Sequence, residues 1–129
     1  MAKQLTIINS KGQRISVEKY DSVDFEGFVN GYAIVWLNNK AGFINEKGEE
    51  ICPIKYDMLF PFRKIGYPTI LKLNGKFGLI DTNGKELCPI KYTRINRFSG
   101  DRAYAEAGKK MFYLNKEGKE KPINNLVSD

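Results

Sequence analysis

The chain has 129 residues, which fits one domain or a short repeat array and not two ordinary domains. Its 42% hydrophobic and 12% aromatic content is that of a folding chain, and 21 Lys and Arg against 15 Asp and Glu leave a net charge of +6. There is no His, which excludes every mechanism that needs an imidazole base or ligand, and two Cys are too few for a disulfide-stapled scaffold.

The first residues, Met1-Ala2-Lys3-Gln4-Leu5-Thr6-Ile7-Ile8, carry one Lys and too short an apolar run for a secretory signal. No stretch approaches the roughly 20 apolar residues of a membrane span, so a cytoplasmic location is the default expectation. Residues 32–37 read as a strand, Asn38-Asn39 as a turn and residues 41–45 as the return strand. Residues 46–49 turn again into a third strand at Ile51-Cys52. Residues 56–67, with Phe60, Pro61 and Phe62, read as a loop or short helical turn between units. Residues 69–73 are the next apolar run, and Asn74-Gly75 is a strong hairpin signal because both turn positions need positive φ. Residues 76–81 return, residues 82–85 turn, and residues 86–88 form a third strand that Pro89 ends, since it lacks an N–H. No window of roughly 12 residues or more has a helical period.

The chain repeats itself. Residues 40–56 return 36 positions later as residues 76–92, with ten of 17 positions identical. At the same offset upstream, Ile8, Asn9, Lys11, Gly12, Ile15, Lys19 and Tyr20 match Ile44, Asn45, Lys47, Gly48, Ile51, Lys55 and Tyr56. Residues 110–120 are a shorter-spaced last copy that stops soon after Pro122-Ile123. The expected fold is all-β, a single domain of three to four tandem repeats of a three-stranded antiparallel meander. Its units are approximately 1–39 (degenerate), 40–75, 76–108 and 109–129 (truncated). Stacking as a curved ribbon is the first expectation, and closure into a small barrel or partial propeller is the competing one.

The unit resembles the WG-repeat, or KWG-repeat, family. Lys76-Phe77-Gly78-Leu79-Ile80-Asp81, with Gly84 and Pro89-Ile90-Lys91-Tyr92, follows the pattern closely. Lys40-Ala41-Gly42-Phe43-Ile44-Asn45, with Pro53-Ile54-Lys55-Tyr56-Asp57, follows it with Ala in the aromatic slot. The first copy has Thr6 and the last has Phe112 where Gly is expected. The resemblance covers about residues 5–123. It implies bacterial β-repeat proteins used for binding, in several cases near toxin or immunity genes, and no defined catalytic site.

Gly42 and Gly78 sit in mid-strand, where an aromatic ring is expected to pack over the bare backbone. Tyr20, Tyr56 and Tyr92 are expected to close the core, their hydroxyls on a backbone group or water, with Lys19, Lys55 and Lys91 solvated beside them. Cys52 and Cys88 occupy equivalent positions and are read as two small buried residues, against a disulfide or metal pair. Trp36 aligns with Lys72 and Glu106, which implies a solvent-facing position. These three, with Tyr67 and Tyr104, are the candidate contact residues.

The net charge accumulates as +2 in each of residues 40–75, 76–108 and 109–129 after a neutral start, with acids interspersed. That is unlike a concentrated basic face for nucleic acid. The turns at residues 82–84 and their relatives precede no helix and are not phosphate loops. No catalytic residue, cofactor site or metal site is expected, and the chain is read as no enzyme. The expected function is a protein-binding repeat module. Its concrete version is a cytoplasmic immunity protein that masks a toxin. The alternatives are a glycan or cell-envelope binder and a weak nucleic-acid binder.

Overall fold

The structure, a computed structural model, describes residues 6–123. Among these residues, twelve strands form four small antiparallel sheets. The first sheet pairs β1 (Thr6–Ile8) with β2 (Arg14–Ser16). The second holds β3 (Ser22–Val23), β4 (Tyr32–Leu37) and β5 (Lys40–Asn45). The third holds β6 (Met58–Leu59), β7 (Thr69–Leu73) and β8 (Lys76–Ile80). The fourth holds β9 (Arg94–Ile95), β10 (Arg102–Ala107), β11 (Lys110–Asn115) and β12 (Glu120–Pro122).

The long hairpins form where the sequence supplies positive φ. Asn38 and Asn39 (φ 53° and 66°) and Asn74 and Gly75 (53° and 80°) make two-residue turns of the type I′ kind. The third hairpin turns at Gly108 (φ 64°) and Lys109, where only the first position is left-handed, as in type II′. Asp21 and Asp57 steady the first two turns, each accepting a hydrogen bond from the first turn amide, Asn38 N (2.9 Å) or Asn74 N (2.7 Å).

The sheets stack face to face, and both faces of the inner ones are buried. Along β4, Ala33 and Val35 point back towards Val17 and Tyr20, and Ile44 joins them from β5. Ile34 points forward and packs with Phe43, Tyr56, Phe62, Leu71 and Ile80. The third sheet repeats this, since Ile70 and Leu79 point on towards Tyr92, Ala103, Ala105, Phe112 and Leu114. This explains why residues 32–37 read as an unbroken apolar run instead of alternating. Each of the three core clusters joins consecutive sheets, and none joins the first sheet to the last. No sheet closes into a barrel, so the stack is serial.

Two expectations need correction. The third strand of each inner sheet is not the Ile-Cys or Leu-Cys segment. After the Gly turn, Glu50 and Glu86 make single bridges to Ile44 and Ile80, and the ladder then stops. The third strand is instead the dipeptide that opens the preceding link, Ser22–Val23, Met58–Leu59 or Arg94–Ile95. The link at residues 56–67 is therefore not only loop or helical turn. The ladder stops because Pro53 and Pro89 turn the chain back over the sheet, where Tyr56 and Tyr92 bridge to Ala41 and Phe77.

That return explains the mid-strand glycines. A Cβ on Gly42 would lie 2.9 Å from Ile54 Cγ1, and one on Gly78 3.1 Å from Ile90 Cγ1. The group over the bare backbone is thus an isoleucine and not the expected aromatic ring.

Candidate contact surface

The side chains that recur in every unit are used inside the stack. Tyr20 donates its hydroxyl hydrogen to Glu50 (2.7 Å) and Tyr56 to Glu86 (2.6 Å); Tyr92 does the same to Glu120. Each bond spans one seam between sheets. The neighbouring lysine completes the clasp: Lys19 pairs with Glu50, Lys55 with Glu86 at 3.4 Å and Lys91 with Glu120 at 3.1 Å. The same ammonium groups lie 5.2–5.4 Å from the adjacent tyrosine ring centroids. The hydroxyls expected on backbone or water are bonded to the next unit instead, while the lysines are exposed, as expected, and still reach the same carboxylates. Burial, reinforced by the carboxylate, pushes the hydroxyls of Tyr20, Tyr56 and Tyr92 well above their ordinary range. The hydrogen bond from Lys19, then that from Tyr20, lowers Glu50; the bond from Tyr92 lowers Glu120.

The turns recur as closely. Asn9, Asn45, Asp81 and Asn115 each accept, on one side-chain oxygen, hydrogen bonds from the amides two and four residues on. The glycine in each later turn packs on the preceding unit, Gly48 on Ile15, Gly84 on Ile51 and Gly118 on Leu87.

The five candidate contact residues fall in different places. Trp36, Lys72 and Glu106 do share one register position, opposite Ser22 and Ala41, Met58 and Phe77, and Arg94 and Met111. Trp36 is not the exposed platform that alignment implied. Its neighbours across the sheet are small, and the indole is half-buried against the Ile34 and Phe43 cluster. Lys72 is also half-buried, its ammonium 5.4 Å from the Phe77 ring centroid. Glu106 and Tyr104 come together on the outer face of the last sheet, where Tyr104 donates to Glu106 at 2.7 Å. The Tyr104 ring meets Tyr113 edge-on at 6.4 Å, and the Arg102 guanidinium lies 3.8 Å from the Tyr113 ring centroid. Tyr67 lies in the third seam, bonded to Asp101 and packed edge-on against Phe98 at 5.3 Å, with Lys64 Nζ 4.0 Å from its ring centroid.

Cys52 and Cys88 are free thiols in two different clusters, and burial raises both. Among the described residues, no three His, Cys, Asp or Glu side chains are grouped to hold a metal ion. Among the described residues, no helix is long and apolar enough to cross a membrane.

Sequence reading missed two kinds of surface residue. The links expose apolar tips, Phe25 at 94% and Ile65 at 80%. A cleft also opens in the third seam, with Arg97 on its rim. No periodicity marks these residues, because they are where the copies differ.

No curated protein and no solved structure matches the chain. The WG containing repeat matches residues 42–77 and again 77–110, more than half of the sequence, so the chain belongs to that family.

Proposed function

We propose that the protein is a non-enzymatic protein-binding repeat module. One observation carries the reading. The side chains that stay the same from unit to unit are used on turns and clasps, while outward positions change freely. Phe25 against Pro61 and Arg97, at the same step of each link, is the example. A constant frame with variable outward positions suits recognition by surface contact. The exposed Phe25 and Ile65, and the Tyr104, Tyr113 and Arg102 face, are of the residue types that anchor protein interfaces. The concrete version is an immunity protein that masks a toxin.

A nucleic-acid role is disfavoured by charge placement. Lys19, Lys40, Lys55, Arg63, Lys91 and Arg94 are all paired with carboxylates. The test is affinity capture from the native host with mass spectrometry. One protein should be retained in a fixed ratio and lost with a Tyr104→Ala, Tyr113→Ala double variant or with Phe25→Ser. Capture of nucleic acid alone, abolished by salt, would count against the reading.

A further inference from the structure

The third seam departs from the second where the link packs against the start of the hairpin. In the second seam the Tyr32 ring meets Phe62 edge-on at 5.2 Å, and Phe62, itself buried, lies 4.6 Å from Phe43. Thirty-six positions on, the same three places hold Pro68, Phe98 and Leu79. Proline brings no ring to Phe98; Tyr67, one residue earlier, meets it edge-on at 5.3 Å instead, and Phe98 is left half-buried. A cleft of about 240 Å³ opens there, lined by Phe60, Pro61, Pro68, Ile70 and Phe98 with Arg97 at its rim.

The walls are apolar and fixed. Pro61 and Pro68 have no N–H to offer. Thr69, which also lines the cleft, directs its hydroxyl to the carbonyls of Phe60 (2.9 Å) and Pro61 (3.1 Å). Phe60 N donates to Ile70 O at 3.1 Å, tying the two walls together. No acidic side chain lines the space, while three basic ones do. Arg63 is held by Glu26 in a two-pronged pair at 2.9 and 2.6 Å, and Lys64 by the Gly100 carbonyl and the Tyr67 ring. Arg97 is exposed and makes no hydrogen bond or ion pair among the described residues.

We propose that this cleft docks a segment of a protein partner in which an aromatic side chain is flanked by Asp or Glu. The ring enters the apolar cleft between Phe60, Pro61, Pro68 and Ile70, and the carboxylate meets Arg97. The guanidinium is suited to this because it offers a planar pair of donors to a carboxylate. The inference rests on the protein-binding reading and supplies the chemistry of the partner.

The test is an NMR titration of the ¹⁵N-labelled full chain with the capped peptide acetyl-Glu-Asp-Tyr-Asp-Glu-amide. Shift changes should be confined to residues 60–70 and 97–98. Peptides with Ala for Tyr, or Lys for the acids, should bind about tenfold more weakly. Pro68→Tyr puts a ring of the chain itself at the cleft wall and should abolish binding in a folded protein. Arg97→Glu, at an exposed site, should weaken binding about tenfold and leave thermal stability unchanged. Absence of shifts at the cleft, or equal binding by both variants, would overturn the proposal. The two readings fail differently. A host partner captured equally by wild type and Pro68→Tyr removes the cleft and leaves the module. Peptide binding at the cleft with no host protein captured removes the module reading and leaves the cleft as a site for the peptide chemistry.

Discussion

The turn after each return strand is built four times in one way, whereas the segment that follows it is built in two. In the inner units the chain leaves the ladder after a single bridge, and Ile54 or Ile90 lies over a bare Gly42 or Gly78. In the last unit Glu120–Pro122 continues as a regular strand, with Phe112 opposite Pro122. Phe112 stands where the glycine stood and packs edge-on against Tyr92 at 6.0 Å. One residue fewer separates the turn glycine from the proline, Lys121 alone in place of Ile51-Cys52. The two features need each other. In the inner units the returning isoleucine requires a glycine beneath it, and in the last unit the unbroken strand leaves a space that the Phe112 ring fills. The last unit is thus a different solution for closing the stack, not merely a shortened copy.

The comparison can be broken most severely at the shared turn. Gly84 has φ 79°, and an added Cβ would overlap the Ile51 carbonyl oxygen, which is backbone and cannot step aside. Gly84→Ala should cost more than about 4 kcal/mol, read as urea denaturation. Gly12 has nearly the same φ, 78°, but an added Cβ there would meet nothing within 4 Å among the described residues. Gly12→Ala should therefore cost only the left-handed strain, about 1 kcal/mol. Equal losses would show that the glycines serve the turn alone and not the seam.

Next in size is the ring of the last unit. Phe112 is buried among Tyr92, Ala105 and Leu114. Phe112→Ala should cost about 3 kcal/mol by the cavity it leaves. Gly78→Ala should cost less, because the atom it meets is a side-chain carbon of Ile90 that has some freedom to shift. If Phe112→Ala were as mild as Gly78→Ala, the ring would not be what closes the last unit. The clasp comes third. Tyr56→Phe keeps the buried ring and removes the bond to Glu86, at a cost of about 1–2 kcal/mol in thermal or urea unfolding.

Hairpins and turns were legible because their causes are local. Asn38-Asn39, Asn74-Gly75 and the Asn or Asp that begins each Gly turn act within a few residues. Met58–Leu59 and its relatives were not, since two residues carry no period and their pairing is decided by the hairpin they reach. The clasps join residues 28–30 positions apart and leave no local mark. A signal did exist, for Glu50, Glu86 and Glu120 recur in step with Tyr20, Tyr56 and Tyr92. Trp36 was misjudged for a related reason. Its register with Lys72 and Glu106 holds, but all three are half-buried, so a Lys or Glu at the matching place in another copy does not mark the position as solvent-facing.

The smallest effect separates the clasps by pH. Glu50 and Glu120 have folded pKa values lowered from the ordinary 4.5 by their tyrosine and lysine partners. Between the folded and unfolded values the unfolded chain binds more protons, so stability rises with pH there. The contribution is present above pH 4.5 and fades as pH falls below it. Solvent screening holds each pair to about 1 kcal/mol or less. The tyrosines have the opposite sign. Their folded values are raised from 10.0, so their contribution is intact below that pH and is lost as pH climbs past it. Melting temperature against pH should therefore fall at both ends. Glu120→Gln should flatten the acid limb and weaken the last clasp, leaving the two inner clasps to hold the alkaline limb. An acid limb unchanged in Glu120→Gln would mean that the last clasp contributes nothing and that Phe112 alone closes the fourth sheet on Tyr92.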